Sequence, residues 1–223
     1  MPAPAAAVAL LKSRVFKWLA GVAVSLIMLF AAVTGGVIIM VSYAISAAQA
    51  APGGVVGGQN DYPWATMPDD DHGGGMSPLG YGVRECVDFV AWRINQSAGT
   101  VVAPYAWTWS RLTPGGGDAY EWRQAWLARS WPVSSTPTVG SIAWWDAGTV
   151  GSLGHVAWVN AVNPDGTITI EEYNWGSQHT WDTRTIPATV AVAQTLGSGA
   201  TAPSAFLQAP PGGWGGLGSS QVR

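Results

Sequence analysis

Cysteine and lysine are scarce in this 223-residue chain, and each scarcity excludes a class of protein. The one cysteine, Cys86, excludes an intrachain disulfide framework and a zinc site built from cysteines. A single cysteine is either an inert core residue, which is the commoner case, or a nucleophile. The sequence around Cys86 therefore decides how it is interpreted.

Basic residues are few and unevenly placed. Both lysines lie in the first 17 positions, as Lys12 and Lys17, together with Arg14, and no acidic residue precedes Asp61. From Ala51 onward, seven arginines stand against thirteen acidic residues, which leaves a formal charge of −6. Because nucleic-acid binding needs a basic patch, we predict no nucleic-acid partner.

An uncharged segment, "WLAGVAVSLIMLFAAVTGGVIIMVSYAISAAQA", follows the basic cluster. It is longer than the roughly 20 apolar residues that cross a bilayer as a helix, yet it ends in "AQA", which is typical of a signal-peptide cleavage site. We predict a cytoplasmic basic segment at 1–17 and, at 18–47, either a transmembrane anchor or a cleaved signal peptide. Both alternatives place the rest of the chain outside the membrane, either anchored to it or secreted.

Local patterns predict helices first and strands afterwards. After a Gly-rich linker at 48–60, helical spacing in "RECVDFVAWRINQ" predicts a helix with Cys86 in its first turn. "DAYEWRQAWLARS" predicts a second helix, N-capped by Asp118. Period-two patterns predict strands in "SIAWWD", "HVAWVNAV", "TITIEEYNW" and "PSAFLQ", with "NPDG" as a hairpin turn. This order indicates an α+β domain over 61–208, followed by a flexible tail at 209–223.

The hairpin could bring polar side chains together. One face of its first strand is predicted to hold His155, Ala157, Val159 and Ala161. The matching face of the second strand is predicted to hold Ile168, Ile170, Glu172 and Asn174. Glu172 or Asn174 could therefore orient the imidazole of His155, whereas Glu171 points to the other face.

A thiol at a helix N-terminus lies where the helix dipole and unsatisfied backbone N–H groups favour a thiolate. Cys86, His155 and Glu172 or Asn174 could thus form a Cys-His-polar triad. The alternative is a buried cysteine, a hydrogen-bonded histidine and polar residues at a strand end. Residue spacing alone leaves both interpretations open.

Four segments, "RECVDFVAWRIN", "TPTVGSIAWWDAG", "GHVAWVNAV" and "ITIEEYNWG", occur in an order and spacing that resembles the CHAP family. Its members are cysteine, histidine-dependent amidohydrolases and peptidases of the papain-like NlpC/P60 group. The resemblance covers roughly 62–208. It implies a papain-like α+β fold in which N-terminal helices pack on an antiparallel sheet.

The resemblance also implies roles for four residues. Cys86 matches the nucleophile and His155 the general base, while Glu172 and Asn174 match the Glu-x-Asn pattern of the family. No cofactor is implied. One departure is Glu85, since many members carry Gln just before the nucleophile, and an unpaired carboxylate there would disfavour a thiolate.

Tryptophan is unusually abundant, at 14 residues. Most of the tryptophans are expected in the core, but Trp175 directly follows Asn174 and is predicted to bind substrate. "PDDDHGGG" resembles a calcium loop only in its carboxylates. Because it lacks EF-hand alternation, we predict a solvated loop there and no metal site.

The resemblance implies a peptidoglycan hydrolase that acts outside the cell membrane, as an N-acetylmuramoyl-L-alanine amidase or as a peptide endopeptidase. Peptidoglycan is then the partner, with the membrane as a second partner through the N-terminal segment and an envelope complex as a further possibility. The alternatives are a catalytically silent wall-binding or scaffolding component of such a complex, and a purely structural membrane protein. Peptidoglycan cleavage and a reactive Cys86 would argue against both.

Overall fold

The computed structural model describes residues 58–68 and 75–216. In chain order its helices are α1 (Cys86–Ser97), α2 (Trp109–Leu112), α3 (Trp122–Ala128) and α4 (Val190–Leu196). Its strands are β1 (Val133–Ser134), β2 (Ile142–Trp145), β3 (His155–Val162), β4 (Thr167–Tyr173), β5 (Trp181–Pro187) and β6 (Ala205–Leu207). Short 3-10 turns span Ala119–Glu121 and Trp175–Ser177. The result is the predicted mixture of helices and antiparallel sheet.

The six strands form one antiparallel sheet in the order β1-β6-β2-β3-β4-β5. The hairpin of β3 and β4 lies in the interior of this order and closes through the predicted "NPDG" turn. Both strands are buried over most of their length because the sheet is covered on both faces. The start of β3 and the end of β4, where the polar residues were predicted to meet, therefore lie at one end of the sheet.

Helix α1 is buried on nearly every side, which explains its apolar composition. It packs against β3 and β4. Three polar side chains within it are also buried, and each has partners. Asp88 bonds Tyr62 and Ser77, Arg93 bonds Asp61 and Glu171, and Asn95 bonds the backbone of Trp107.

Tryptophans build the core on the α1 side of the sheet. Trp122 and Trp126 stack with a 5.6 Å centroid separation, and Trp107 packs edge-on against Trp214 at 5.3 Å. Trp214 is buried and donates from Nε1 to the carbonyl of Gly140 at 3.2 Å. The described part of 209–223 thus packs on the domain, which departs from the predicted flexible tail.

The strands differ from prediction at a bulge in β3 and at the two strands β1 and β5, which were not predicted. A bulge between Val159 and Ala161 inserts one residue into β3, so that Ala161 pairs with Thr169 and leaves the His155 face. Strand β5 was not predicted, because its residues 182–185 are all polar and it forms an edge of the sheet.

Within the described residues, no helix is long and apolar enough to cross a membrane. The predicted anchor or signal peptide at 18–47 lies outside the described residues, as do positions 69–74 of the predicted solvated loop. The end of the predicted linker is described. There, Gly58 donates its backbone N–H to Glu171, and the carbonyl of Gln59 accepts from Arg93 at 3.0 Å.

Candidate active site

Cys86 is the first residue of α1 and follows a sharp backbone turn. The turn places Arg84 at φ +63°, in the left-handed region, where a non-glycine residue needs support from its surroundings. That support is a hydrogen bond from the Arg84 N–H to the Tyr62 hydroxyl at 3.0 Å. Tyr62 in turn donates to Asp88, which lies in the first turn of α1. This hydrogen-bond network fixes the backbone conformation just before Cys86, and therefore the position of its thiol at the start of α1.

This arrangement shifts the pKa values of both Asp88 and Tyr62. Burial raises the pKa of Asp88 to about 7, although the hydrogen bonds from Ser77 and Tyr62 act in the opposite direction. Burial also raises the pKa of Tyr62, and the neighbouring Asp88 carboxylate adds to the effect. Tyr62 therefore keeps its proton and remains the donor to Asp88.

The imidazole of His155 lies between the thiol and a carboxylate. Its Nε2 atom is 2.7 Å from Oε2 of Glu172, and the Cys86 side chain is near enough to the ring to raise its pKa. Because Nε2 is occupied by Glu172, Nδ1 is the nitrogen left for the sulfur. The structure thus brings together three of the four residues for which catalytic roles were predicted.

The surroundings of His155 favour its protonated form. Burial alone lowers the pKa of the imidazole, but the charge and hydrogen bonds of Cys86 and Glu172 outweigh burial and raise it to about 9. Glu172 is itself fully buried. Burial raises the pKa of Glu172, yet hydrogen bonds from His155 and Arg184 more than offset this and lower it below its ordinary value. The geometry can hold a thiolate–imidazolium pair beside an ionised carboxylate.

The hydrogen bonds of the Asn174 side chain go to residues other than His155. The chain leaves β4 at Tyr173, and Asn174 adopts φ +59°, so strand alternation no longer applies to it. Its Nδ2 atom donates to Oε2 of Glu85 at 2.8 Å, and its Oδ1 accepts from the backbone N–H of His179 at 2.9 Å. Glu85, where the family often has Gln, is thereby a hydrogen-bonded acceptor beside the nucleophile.

His179 completes the surroundings of Glu85. Its Nδ1 atom is 3.5 Å from Oε1 of Glu85, and its carbonyl accepts from Nε of Arg84 at 2.9 Å. The turn after β4 and the turn before α1 are therefore tied together through Glu85. Residue spacing could not predict this contact, since His179 lies in a polar turn without a periodic pattern.

A cleft of about 580 Å³ opens on the thiol and the imidazole. Its walls include Cys86, His155, Glu85, Trp109 and Trp175. The edge of Trp175 packs on the His155 ring with a 5.1 Å centroid separation. Trp175 thus lies where a substrate-binding residue was predicted. Trp107, Trp144, Trp145 and Trp158 instead belong to the core.

Gly154 immediately precedes His155 and has no room for a side chain. A Cβ atom there would lie 2.5 Å from the carbonyl oxygen of Trp145 and 3.1 Å from the backbone N of Tyr120. Its φ of +70° also favours glycine. The close approach of three backbone segments fixes where β3 begins, and therefore where the imidazole lies.

Arg184 was not predicted from the sequence. It comes from β5, donates from Nε to Oε1 of Glu172 and from Nη2 to Oε2 at 3.1 Å, and lies over the Trp175 ring at 3.7 Å. The only available signal was an arginine among polar residues, which is also typical of an exposed edge strand. Within the described ranges, no group of three or more His, Cys, Asp or Glu residues could hold a metal ion.

Residues 76–174 match the family described as CHAP domain. N-acetylmuramoyl-L-alanine amidase sle1 of Staphylococcus epidermidis is 46% identical over 72 residues, which are 32% of this chain and 21% of that protein. Probable autolysin SsaALP of Staphylococcus aureus is 37% identical over 109 residues, or 48% of this chain and 36% of that protein. The chain therefore spans only a minor part of the curated relatives it matches.

A solved N-acetylmuramoyl-L-alanine amidase from Staphylococcus aureus aligns with a TM-score of 0.42 and 26% identity. The alignment covers 66% of this chain and 36% of that one.

Proposed function

This chain carries a CHAP domain at residues 76–174, and we propose that the domain cleaves an amide bond of peptidoglycan with Cys86 as the nucleophile. The observation that carries the proposal is that Cys86 and His155 line one cleft and that the buried Glu172 bonds His155. The names of the relatives, which include amidases and autolysins, support the choice of peptidoglycan as substrate.

His155 acts as general base and then as general acid. It accepts the thiol proton, and the Cys86 sulfur attacks the carbonyl carbon of the scissile amide to form a tetrahedral intermediate. The imidazolium then protonates the leaving amine, which departs as the C–N bond breaks and an acyl-enzyme remains. His155 next deprotonates a water molecule, whose attack releases the carboxylic acid and restores the thiol.

The oxyanion of each intermediate lies against the N-terminus of α1. The first backbone N–H groups of a helix have no acceptor within their own helix, and the dipole favours a negative charge there. Cys86 is the first residue of α1, so its own N–H is the natural donor. Asn174 and Glu85 hold the turn that presents this N–H, and Asn174 acts there rather than on His155.

Glu172 keeps the imidazole in one orientation and stabilises its charged form. Trp175 offers an aromatic wall to the substrate at the mouth of the cleft. The antiparallel sheet, the cysteine at the start of α1 and the histidine at the start of β3 support assignment to the papain-like NlpC/P60 group. The N-terminal basic and apolar segments support action outside the cell membrane.

The direct test is digestion of purified peptidoglycan by the full-length protein beside Cys86→Ala, with mass spectrometry of the released fragments. We expect fragments only from the protein with Cys86, because the thiol is the sole nucleophile of the mechanism. A new L-alanine amino terminus identifies an amidase, and a new terminus within a peptide identifies an endopeptidase.

Circular dichroism of both proteins serves as the folding control. If the folded wild-type protein releases no fragment from several peptidoglycan types, or if Cys86→Ala releases the same fragments, the proposal fails. The scaffolding alternative would then be the better account.

A further inference from the structure

Arg184 lies beyond the segment that matches the CHAP family, yet it contacts the proposed catalytic site. We propose that Arg184 is a positioning residue that holds the Glu172 carboxylate ionised and fixed, and through it orients the imidazole of His155. The proposal rests on the proposed function where it concerns hydrolysis. It adds a fourth side chain, from a strand outside the matched segment, to the Cys-His-Glu arrangement.

The placement of Arg184 follows from the register of the sheet. Arg184 pairs with Ile170 across β4 and β5, so its side chain shares a face with Ile170 and, one alternation further, with Glu172. The guanidinium bonds both carboxylate oxygens, and Oε2 also receives His155. With both oxygens held in this way, the carboxylate cannot rotate away from the imidazole without breaking a charge-assisted hydrogen bond.

The charge of Arg184 matters most when His155 is neutral. Glu172 is fully buried, and a buried carboxylate without a cation takes up a proton. In the proposed mechanism, His155 loses its proton to the leaving amine. At that moment Arg184 is the cation that still contacts Glu172. It therefore prevents the carboxylate from taking the proton that the imidazole must recover from water.

Besides its bonds to Glu172, the Arg184 guanidinium packs on an aromatic ring. It lies over the Trp175 ring at 3.7 Å, and the edge of that ring packs on His155. A planar, stacked guanidinium loses little freedom when it bonds a carboxylate with two donors, whereas a lysine ammonium supplies the charge without the planar stacking or the fixed pair of donors. Arg184, Trp175 and His155 thus pack as one group around Glu172.

Arg129 provides a matched control. It is also half-buried, donates from Nη1 to the carbonyls of Leu112 and Ala125, and lies over the Trp131 ring at 5.0 Å. It does not line the cleft. A substitution of Arg129 therefore removes comparable packing and hydrogen bonds without touching the proposed catalytic residues.

The experiment compares the full-length wild-type protein with Arg184→Gln, Arg184→Lys and Arg129→Gln. Two rates are measured as functions of pH: alkylation of Cys86 by iodoacetamide and release of fragments from peptidoglycan. For Arg184→Gln we expect hydrolysis to fall about 10- to 100-fold, the range for loss of a hydrogen bond to a charged group. We also expect the acidic limb of both profiles to move to higher pH, because Glu172 becomes easier to protonate.

Arg184→Lys should keep the acidic limb near its wild-type position and recover only part of the rate, because it retains the charge but not the two-donor geometry. The proposal is overturned if Arg184→Gln matches Arg129→Gln in both profiles. It is also overturned if Arg184→Gln lowers the melting temperature and reduces the rates equally at every pH. If the wild-type protein hydrolyses no peptidoglycan, the proposed function fails, but the alkylation profiles still decide the role of Arg184.

Discussion

Two neighbouring glutamates on β4 share almost every property except the face of the sheet to which they point. Glu171 and Glu172 are both fully buried, and each is paired with an arginine. Glu171 faces α1 and lies 2.6 Å from Nη2 of Arg93. Glu172 faces the opposite side and bonds Arg184 and His155.

The comparison shows that a buried ion pair does not by itself mark a catalytic site. Glu171 and Arg93 bond each other, and together they bind the backbone of Gly58 and the carboxylate of Asp61 to helix α1. These contacts hold segments of the domain together, and none of them involves His155 or Cys86. Glu172 contacts a titratable group that lines an open cleft. What distinguishes the two is that Glu172 bonds a titratable side chain of the cleft, whereas Glu171 bonds only residues that hold the fold together.

The largest expected effect separates the two glutamates by reaction rate. Glu172→Gln should slow peptidoglycan hydrolysis about 10²- to 10⁴-fold, the contribution of acid–base catalysis by a well-placed group such as His155, because the imidazole loses its orienting carboxylate. Glu171→Gln should leave the rate of the folded protein nearly unchanged. Initial rates per folded molecule, corrected by circular dichroism, test this. Equal losses in the two variants would contradict the distinction.

The second expected effect concerns stability on the structural side. Arg93→Met leaves Glu171 as a buried charge without its cation and should lower the free energy of unfolding by about 3–5 kcal/mol. The double variant Arg93→Met, Glu171→Met should recover most of this loss, because it removes both charges together. Urea unfolding followed by tryptophan fluorescence measures both values. A double variant no more stable than the single one would show that the pair acts by other contacts.

The smallest expected effect is a shift in pH dependence. The raised pKa of His155, about 9, predicts that alkylation of Cys86 loses its imidazolium-assisted component as pH rises through 9. Glu172→Gln should move this midpoint to lower pH, because a carboxylate that favours the charged ring is gone. Glu171→Gln should leave it in place, and a shift in that variant would contradict the separation of the two faces.

The same pKa shift predicts the direction in which the stability of the folded protein changes with pH. The pKa of His155 is about 9 in the folded protein, above its ordinary value of 6.5, so folding strengthens the binding of its proton. Its contribution to stability is therefore complete below about pH 6.5 and is lost as pH rises through 9. Glu172, whose pKa is lowered, contributes above its ordinary value of 4.5, and this part is lost on acidification.

Alternation along strands was sufficient to predict that Glu172, and not Glu171, meets His155. It failed where the backbone departs from a regular strand. The bulge removes Ala161 from the predicted face, and the positive φ of Asn174 redirects that side chain to Glu85. Neither event has a marker in the local sequence, since both depend on contacts with distant segments.

The contributions of Arg184 and Trp214 could not be predicted for a different reason. Polar residues around Arg184 and glycines around Trp214 are typical of solvent-exposed segments. Their burial is decided by partners outside their own segment, Glu172 on the neighbouring strand in one case and Trp107, 107 residues away, in the other. Local sequence patterns identify helices and strands that carry an apolar face of their own. They miss polar or Gly-rich segments, such as those of Arg184 and Trp214, that are buried only by contacts with other elements.

The contacts of residues 58–62 give the domain a mechanical property. A pull on the chain from the N-terminal side of Gly58 is borne first by the bond from Gly58 to Glu171, next by the bonds of Gln59 to Arg93 and of Asn60 to Tyr173, and then by Asp61 on Arg93. Only after these yield would the load reach Tyr62, whose hydroxyl supports the Arg84 turn before Cys86. The contacts of Glu171 and Arg93 therefore resist a force applied to the chain before Gly58, and they keep that force from displacing the Cys86 thiol.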